Sequence, residues 1–411
     1  MRPVTPASIL FLFFFWANPI YSQGLLQLVN YPEKEAFSAE DFYRQGLFYF
    51  HKEAWEKAVE YFTKALEMDA QHLKARFNRG LSWYELQKFN KAKTDFDKVL
   101  ESDQNQVEAL AMRGLVYFQK ERYGEAIGDF TRGLSIQKED QLFVYRGTVY
   151  HRLGYFRDAF LDFDQALRLN DKNALAYSGK GDVYASLKQY QIAILWYDKA
   201  LTINPSDALV LNNKGRALSK LGQFGEALKS FDEALWIAPQ SQIFLNRGLC
   251  YLELEDPRSA KSDGVTALRM DPENPDAYYC IGLAEMKEQM YMAAVESFDI
   301  AIDLNDQTED YFLARGRTRL LQAHYNQAME NFNRALELQP DSEKANDLLQ
   351  SAFQASKNHF FEELDEKPLP DPNLDFKNLP TLHSDEPDSL PGGAIFKAAE
   401  ESDFYEDPFG V

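Results

Sequence analysis

One pattern recurs nine times between Ala39 and Ser342, with a period of about 34 residues. Counted from the first residue of each unit, the eighth position is always glycine and the twentieth is always alanine. The twenty-fourth position is aromatic in eight units, and Gly264 is the exception. A period of this length is typical of helix–turn–helix units that stack into a solenoid. The glycines are Gly46, Gly80, Gly114, Gly147, Gly181, Gly215, Gly248, Gly282 and Gly316, and the aromatic residues are Phe62, Phe96, Phe130, Phe163, Tyr197, Phe231, Phe298 and Phe332.

The small residues at positions 8 and 20 predict that each unit contains two antiparallel helices in close contact, because a larger side chain there would hold the helices apart. Aromatic residues at position 11 of six units, and Leu or Ile at position 28 of every unit, have the bulk to fill the remaining space. The pattern therefore indicates an all-α protein.

These positions resemble the tetratricopeptide repeat (TPR) family, whose pattern places Gly and Tyr in a first helix and Ala, Phe, Ala and a closing Pro in and after a second. The closing Pro is present in four units, as Pro205, Pro239, Pro272 and Pro340. The resemblance covers residues 39–342 and implies a right-handed α-solenoid. Its units are predicted at 39–72, 73–106, 107–139, 140–173, 174–207, 208–240, 241–274, 275–308 and 309–342.

Both ends of the repeat array have their own signals. Ser38 followed by Asp41 predicts a capping box, and Phe37 with Phe42 has the spacing of a hydrophobic staple. Residues 343–362 are predicted to form a capping helix over the ninth unit, because terminal repeats need cover for an apolar face. Its apolar stripe comprises Ala345, Leu348, Leu349, Ala352 and Phe353.

The first 22 residues are typical of a secretory signal peptide, with Arg2 before an apolar run at Ile9–Ala17 and a cleavage site after Ser22. We therefore expect an exported protein, periplasmic, cell-surface or secreted, with a lead-in at residues 23–38 and no integral membrane segment in the mature chain. An uncleaved membrane anchor is the alternative reading of the same run.

The net charge of −20 is distributed unevenly, because residues 363–411 contain 13 Asp and Glu but only three Lys. This tail is also rich in proline, so it is expected to be disordered. The acidic balance argues against nucleic acid or anionic lipid as the main partner. The two cysteines, Cys250 and Cys280, form no disulfide framework, and whether they pair with each other stays open at this stage.

A search for catalytic groups and metal ligands in the sequence finds none in a recognisable arrangement. The six histidines are scattered, the two cysteines lack a CxxC spacing, and each glycine of interest is placed by the repeat. We therefore predict no catalytic residues, no metal and no cofactor, and we do not expect an enzyme.

Arginine at position 7 coincides with aspartate at position 23 in four units, and no unit without that arginine has an aspartate there. We interpret the coincidence as an ion pair between the two helices of one unit. The four pairs are Arg79 with Asp95, Arg113 with Asp129, Arg146 with Asp162, and Arg247 with Asp263.

The TPR resemblance implies that the first helices line a concave groove with positions 2, 5, 6, 9, 12 and 13. The predicted function is a scaffold that binds a protein or an extended peptide there, and a self-assembling component of a cell-envelope or surface complex is the alternative. Self-docking of the acidic tail is a further hypothesis. The candidate groove residues are Tyr43, Phe50, Phe77, Asn78, Tyr84, Phe118, Arg152, Asn212, Asn213, Arg216, Lys220, Asn246, Tyr279 and Arg317.

Overall fold

A computed structural model describes residues 37–365, with side chains through residue 359. Within that range every regular element is an α-helix, and there are nineteen. The predicted signal peptide and most of the acidic tail lie outside the described residues. The helices are α1 Ala39–His51, α2 Trp55–Met68, α3 Leu73–Glu85, α4 Phe89–Ser102, α5 Val107–Gln119, α6 Tyr123–Ile136, α7 Asp140–Arg152, α8 Phe156–Leu169, α9 Ala174–Ser186, α10 Tyr190–Ile203, α11 Ala208–Lys220, α12 Phe224–Ile237, α13 Ser241–Glu253, α14 Pro257–Met270, α15 Pro275–Lys287, α16 Tyr291–Leu304, α17 Glu309–Leu321, α18 Tyr325–Leu338 and α19 Glu343–Asp365.

The helices pack in sequence order, which gives an α-solenoid. Each odd-numbered helix from α1 to α17 is the first helix of a unit and packs against the even-numbered helix that follows it. Each second helix also packs against the next first helix, and the first helices of successive units contact one another in all eight cases. The first helices therefore form one continuous row. The nine units lie within a compact body that ends at Ser356.

In eight of the nine units the glycine at position 8 lies directly against the aromatic ring at position 24. A Cβ atom added to Gly46 would lie 2.4 Å from the ring of Phe62, and one added to Gly181 would lie 2.5 Å from the ring of Tyr197. All eight aromatic side chains at position 24 are at most 1% exposed. Only a residue without a side chain fits opposite such a ring, so this contact fixes the distance between the two helices.

The seventh unit solves the same packing problem differently, because it has Gly264 where the others have an aromatic ring. The Sγ atom of Cys280, from the next unit, would lie 2.9 Å from a Cβ added to Gly248. Cys280 therefore occupies the space next to this glycine. Both cysteines are buried free thiols, and each donates to a backbone carbonyl, Cys250 to Phe224 and Cys280 to Ala260.

Every turn between the two helices of a unit uses the left-handed backbone region at position 15, with φ between 56° and 78°. The first helix ends here because its next residue cannot continue with helical dihedrals. Glycine adopts this conformation without cost, but it is present only as Gly154 and Gly222. The other seven positions are Glu53, Gln87, Glu121, Lys188, Glu255, Gln289 and Ala323.

The predicted ion pairs within single units are confirmed. In each of the four, the arginine Nε and Nη2 atoms donate to the two carboxylate oxygens of the aspartate over 2.7–2.9 Å. Arg315 in the ninth unit donates to Asn331 at the same position over 2.7 Å. A bidentate pair holds both side chains in one geometry and so fixes the register of the two helices.

The remaining arginine nitrogen contacts the preceding unit, which the sequence analysis did not predict. Arg113 Nη1 donates to Asp97 over 2.9 Å and Arg146 Nη1 donates to Thr131 over 3.0 Å, and both acceptors are at position 25. Lys180 and Lys214 reach Asp164 and Asp198 at position 25 in the same way. We call this series the cation ladder. It connects every pair of successive units except the seventh and eighth, where Ile281 packs over Gly264 instead. The remaining contacts of the ladder are Arg79 with Thr63, Arg247 with Asp232, and Arg315 with Asp299.

The ends of the array follow the local signals. The capping box of Ser38 and Asp41 is present, and the rings of Phe37 and Phe42 lie 5.5 Å apart. Along α19, the side chains that pack into the core of the ninth unit are Ala345, Leu348, Leu349 and Ala352. Phe353 was predicted on the same stripe, but it is 57% exposed, because the stripe turns away from that core.

The ion pair within the fourth unit predicts measurable coupling between Arg146 and Asp162. Removing either side chain alone leaves a charged partner in a mostly buried site, so Arg146→Met and Asp162→Leu should each lower the free energy of unfolding by about 1.5–3 kcal/mol. Arg146 suits this test because its other partner, Thr131, is uncharged. A double-mutant cycle in urea should give a coupling of about 0.5–3 kcal/mol.

The exposed pair Arg122 and Glu125 is the control, and its cycle should give a much smaller coupling because solvent screens both charges. Equal coupling energies in the two cycles would show that the ion pair within a unit does not fix the helix register.

Candidate functional site

A groove of about 880 Å³ lies over the row of first helices from the sixth to the ninth unit. Its lining comes mainly from α11, α13, α15 and α17, and the turn after α11 and helix α12 add three residues. Leu249, Leu283, Met286 and Tyr279 are among its apolar lining residues. Leu249 is 40% exposed and the other three are partly buried, so this apolar surface is accessible in part. The other lining residues are Arg216, Ser219, Lys220, Gly222, Phe224, Phe231, Asn246, Cys250, Leu252, Glu253, Lys287 and Arg317.

The charges around the groove are predominantly positive. Four cations line it against one carboxylate, that of Glu253. Lys287 forms an ion pair with Glu255, whereas Arg216, Lys220 and Arg317 are exposed and make no ion pair or hydrogen bond to any residue that the structure describes. Three cations on two first helices, α11 and α17, are therefore available to a negatively charged ligand.

The structure brings five of the fourteen candidate residues together in this groove. They are Arg216, Lys220, Asn246, Tyr279 and Arg317. The sequence analysis missed Lys287 as a candidate, although it occupies position 13, which the repeat pattern assigns to the groove face. Burial, with a smaller contribution from Asp310, raises the pKa of the Tyr279 phenol. This tyrosine therefore stays neutral and acts as an apolar wall with a hydrogen-bonding hydroxyl.

The aromatic candidates of the first three units do not form an open surface, which corrects the sequence interpretation. Tyr43, Phe50 and Tyr84 are at most 7% exposed, and all three belong to the largest hydrophobic cluster. Phe77 and Phe118 are partly buried and pack against that same cluster. These rings fill the space between neighbouring helices, because each first helix contacts the next one and covers it.

The asparagine candidates bond to neighbouring helices, so they also differ from the prediction. Asn246 donates to Asn212 over 2.8 Å, and Asn213 donates to Asp182 over 3.1 Å. Asn78 is 6% exposed, and it donates to the Lys74 carbonyl of its own helix over 2.9 Å and to the Tyr43 hydroxyl of α1 over 3.4 Å. These amides connect helices, which leaves little of their hydrogen-bonding capacity for a peptide backbone. Arg152 is exposed but lies outside the groove.

Asp182 forms a polar centre beside the groove. Its carboxylate accepts hydrogen bonds from the Tyr197 hydroxyl over 2.8 Å and from Asn213. The positive charge of Arg216 also interacts favourably with the ionised carboxylate. Burial outweighs these favourable interactions and raises the pKa of Asp182 to about 6. Arg216 therefore faces a carboxylate whose charge changes at mildly acidic pH.

The described part of the chain has neither a cluster of metal ligands nor a membrane-spanning helix. No group of three or more His, Cys, Asp or Glu side chains is arranged there to hold a metal ion. Likewise, none of the nineteen helices has the length and apolar character needed to cross a membrane.

Family models agree with the repeat pattern. Models described as tetratricopeptide repeat match residues 42–72, 77–139, 208–241 and 310–342, and a model described as TPR repeat matches residues 181–222. No curated protein sequence matches the chain.

The chain is also similar to solved structures. A tetratricopeptide repeat protein from Parabacteroides merdae is 18% identical, covers 60% of this chain and 98% of its own, and aligns with a TM-score of 0.51. The APC/C hetero-tetramer Cut9–Hcn1 is 16% identical over 76% of each chain with a TM-score of 0.48. YrrB, a TPR protein with an unusual peptide-binding site, is 24% identical, covers 44% of this chain and 95% of its own, and has a TM-score of 0.35. At 18% identity the likeness to the Parabacteroides merdae protein shows the fold alone.

The raised pKa predicts that Asp182 makes stability depend on pH. An aspartate in an unfolded chain titrates near pH 4, so between about pH 4 and 6 the unfolded state loses its proton first and the wild type becomes less stable as pH rises. Asp182→Asn cannot titrate, so the variant does not lose this stability as the pH rises. The difference in thermal midpoint, variant minus wild type, should therefore be larger at pH 7.5 than at pH 4. For the exposed control Asp171→Asn this difference should be the same at both pH values. An equal difference for Asp182→Asn at both pH values would contradict the assignment.

Proposed function

Because this chain belongs to the tetratricopeptide repeat family, we propose that it is a non-catalytic scaffold that binds an extended segment of a partner protein in the groove over its sixth to ninth units. The observation that carries the proposal is the combination of accessible apolar residues with three cations that have no ion-pair partner in the described residues. Contiguous apolar surface on a folded protein marks an interaction site.

The groove also defines the chemistry of its ligand. Leu249, Leu283 and Met286 favour aliphatic or aromatic side chains, and Met adapts to different shapes. Arg216, Lys220 and Arg317 favour carboxylates. The partner segment is therefore acidic with interspersed large apolar residues.

Export is part of the same proposal. It is supported by the amino-terminal sequence, in which Arg2 precedes the apolar run Ile9–Ala17 and a cleavage site follows at Ser22. The scaffold then works outside the cytoplasm, in the periplasm, at the cell surface or in the medium.

A random dodecapeptide display library selected on the full chain tests the binding proposal. Peptides enriched on wild type should contain Asp or Glu together with Phe, Tyr or Leu, and Leu249→Glu should weaken their binding at least tenfold, because it places a carboxylate in the apolar floor next to an acidic ligand. The matched control is Leu195→Glu, since Leu195 is 61% exposed on the second helix of another unit. Peptides that bind both variants as they bind wild type would place binding elsewhere.

Export predicts that the mature protein begins at Gln23. Full-length chain produced in a secreting host and purified through a carboxy-terminal tag should give this amino terminus by intact mass. Replacing Leu10 and Leu12 by Asp should retain the leader, because both changes interrupt its apolar run. A chain that keeps residues 1–22 in the secreted or periplasmic fraction would contradict cleavage, and one found only in the cytoplasm would contradict export.

A further inference from the structure

We propose that the last twelve residues of this chain, 400–411, bind in the groove over the sixth to ninth units of the same molecule and compete there with the partner segment. This inference rests on the proposed function of the groove and adds its regulation. The segment itself lies outside the described residues, so the argument uses its sequence and the structure of the groove.

The groove requires a ligand that provides both negative charge and large apolar side chains. Its three cations without an ion-pair partner come from α11 and α17, and the apolar surface between them comes from Leu249 of α13 and from Leu283 and Met286 of α15. A ligand that matches only the charges would leave the apolar surface exposed. A ligand that matches only the apolar surface would leave the cations without partners.

Residues 400–411 meet both requirements in a short stretch. The segment has five carboxylates, from Glu400, Glu401, Asp403, Glu406 and Asp407, and no cation. Phe404, Tyr405 and Phe409 lie among these acids. A tail whose only role is to keep a protein soluble needs the acids but not the aromatic residues, because exposed rings lower solubility. The aromatic residues therefore indicate a contact.

The tether makes binding within one molecule favourable. The last described residue, Asp365, is separated from Glu400 by 34 residues. Any flexible chain of that length has a root-mean-square span of about 30 Å. A linker of this kind gives a tethered segment an effective concentration of up to about 1 mM. Weak intrinsic affinity is then sufficient to occupy the groove until a stronger ligand displaces the segment.

Fluorescence anisotropy with a labelled synthetic peptide of residues 400–411 tests the proposal on full-length protein. In the tail variant, Phe404, Tyr405 and Phe409 are replaced by Ala, so the groove should be open, and the peptide should bind at least tenfold more tightly than to wild type. The control variant Phe376→Ala with Phe396→Ala removes the other two tail aromatics and should behave as wild type.

Groove variants in the tail-variant background locate the binding. Arg216→Glu with Lys220→Glu should abolish peptide binding, because both changes place negative charge opposite the acids of the segment. The matched control is Arg157→Glu with Arg168→Glu on α8, which changes the net charge equally at exposed positions outside the groove. Binding that survives in the groove variant and is lost in the control would overturn the assignment.

Three results would overturn the proposal in distinguishable ways. If library peptides bind the groove but the 400–411 peptide does not, self-docking is wrong and the proposed function stands. If neither binds, both are wrong. If the peptide binds wild type and tail variant equally, or light scattering shows oligomers that depend on Phe404, Tyr405 and Phe409, the segment does not act within its own molecule.

Discussion

The contact between a glycine at position 8 and an aromatic ring at position 24 is the constraint on which the rest of the structure depends. It determines how closely the two helices of a unit approach, because a Cβ atom would overlap the ring. That spacing in turn sets how the next first helix packs against the second helix before it. The continuous row of first helices, and the groove over the sixth to ninth units, form because the same distance between the two helices recurs from unit to unit. The seventh unit shows that the space next to the glycine must be filled but not by a ring, since Cys280 occupies the space next to Gly248 where the other units have an aromatic side chain.

The cations at position 7 fix the register of the helices that this packing brings together. Each arginine at position 7 donates to position 23 of its own unit, an aspartate in four units and Asn331 in the ninth, and to position 25 of the preceding unit. It therefore fixes both the register within a unit and the contact between units. Where the aspartate at position 23 is absent, Lys180 and Lys214 keep only the contact to the preceding unit. Because these cations are paired inside the array, they are not available to a ligand. The groove cations at positions 9 and 13 differ because the ladder does not use them.

Most of the fold could be predicted from the sequence, since helix contacts in a repeat recur at fixed positions and each recurrence adds support. The ion pairs within units could be predicted because Arg and Asp occur together. Their contacts to position 25 could not, since that position is Thr in two units, Asp in five, and Val265 or Asn333 in the remaining two. The site was harder to predict. Position alone assigns Tyr43 and Arg216 to the same face, but whether a side chain on that face is exposed depends on how closely the next helix covers it. The structure buries Tyr43 and leaves Arg216 exposed.

Hydrogen exchange on two variants with the same substitution tests the dependence on the glycine contact most directly. In Gly181→Ala, a new Cβ would lie 2.5 Å from the Tyr197 ring, whereas in Gly128→Ala nothing lies within 4 Å of the new atom. Alanine is the better helix former at both sites, by about 1 kcal/mol, so propensity alone predicts greater protection in both. The account predicts that Gly181→Ala lowers amide protection in α9 and α10 and, through their packing, in α8 and α11, while Gly128→Ala keeps or raises protection in α6. Equal or greater protection in Gly181→Ala would contradict it.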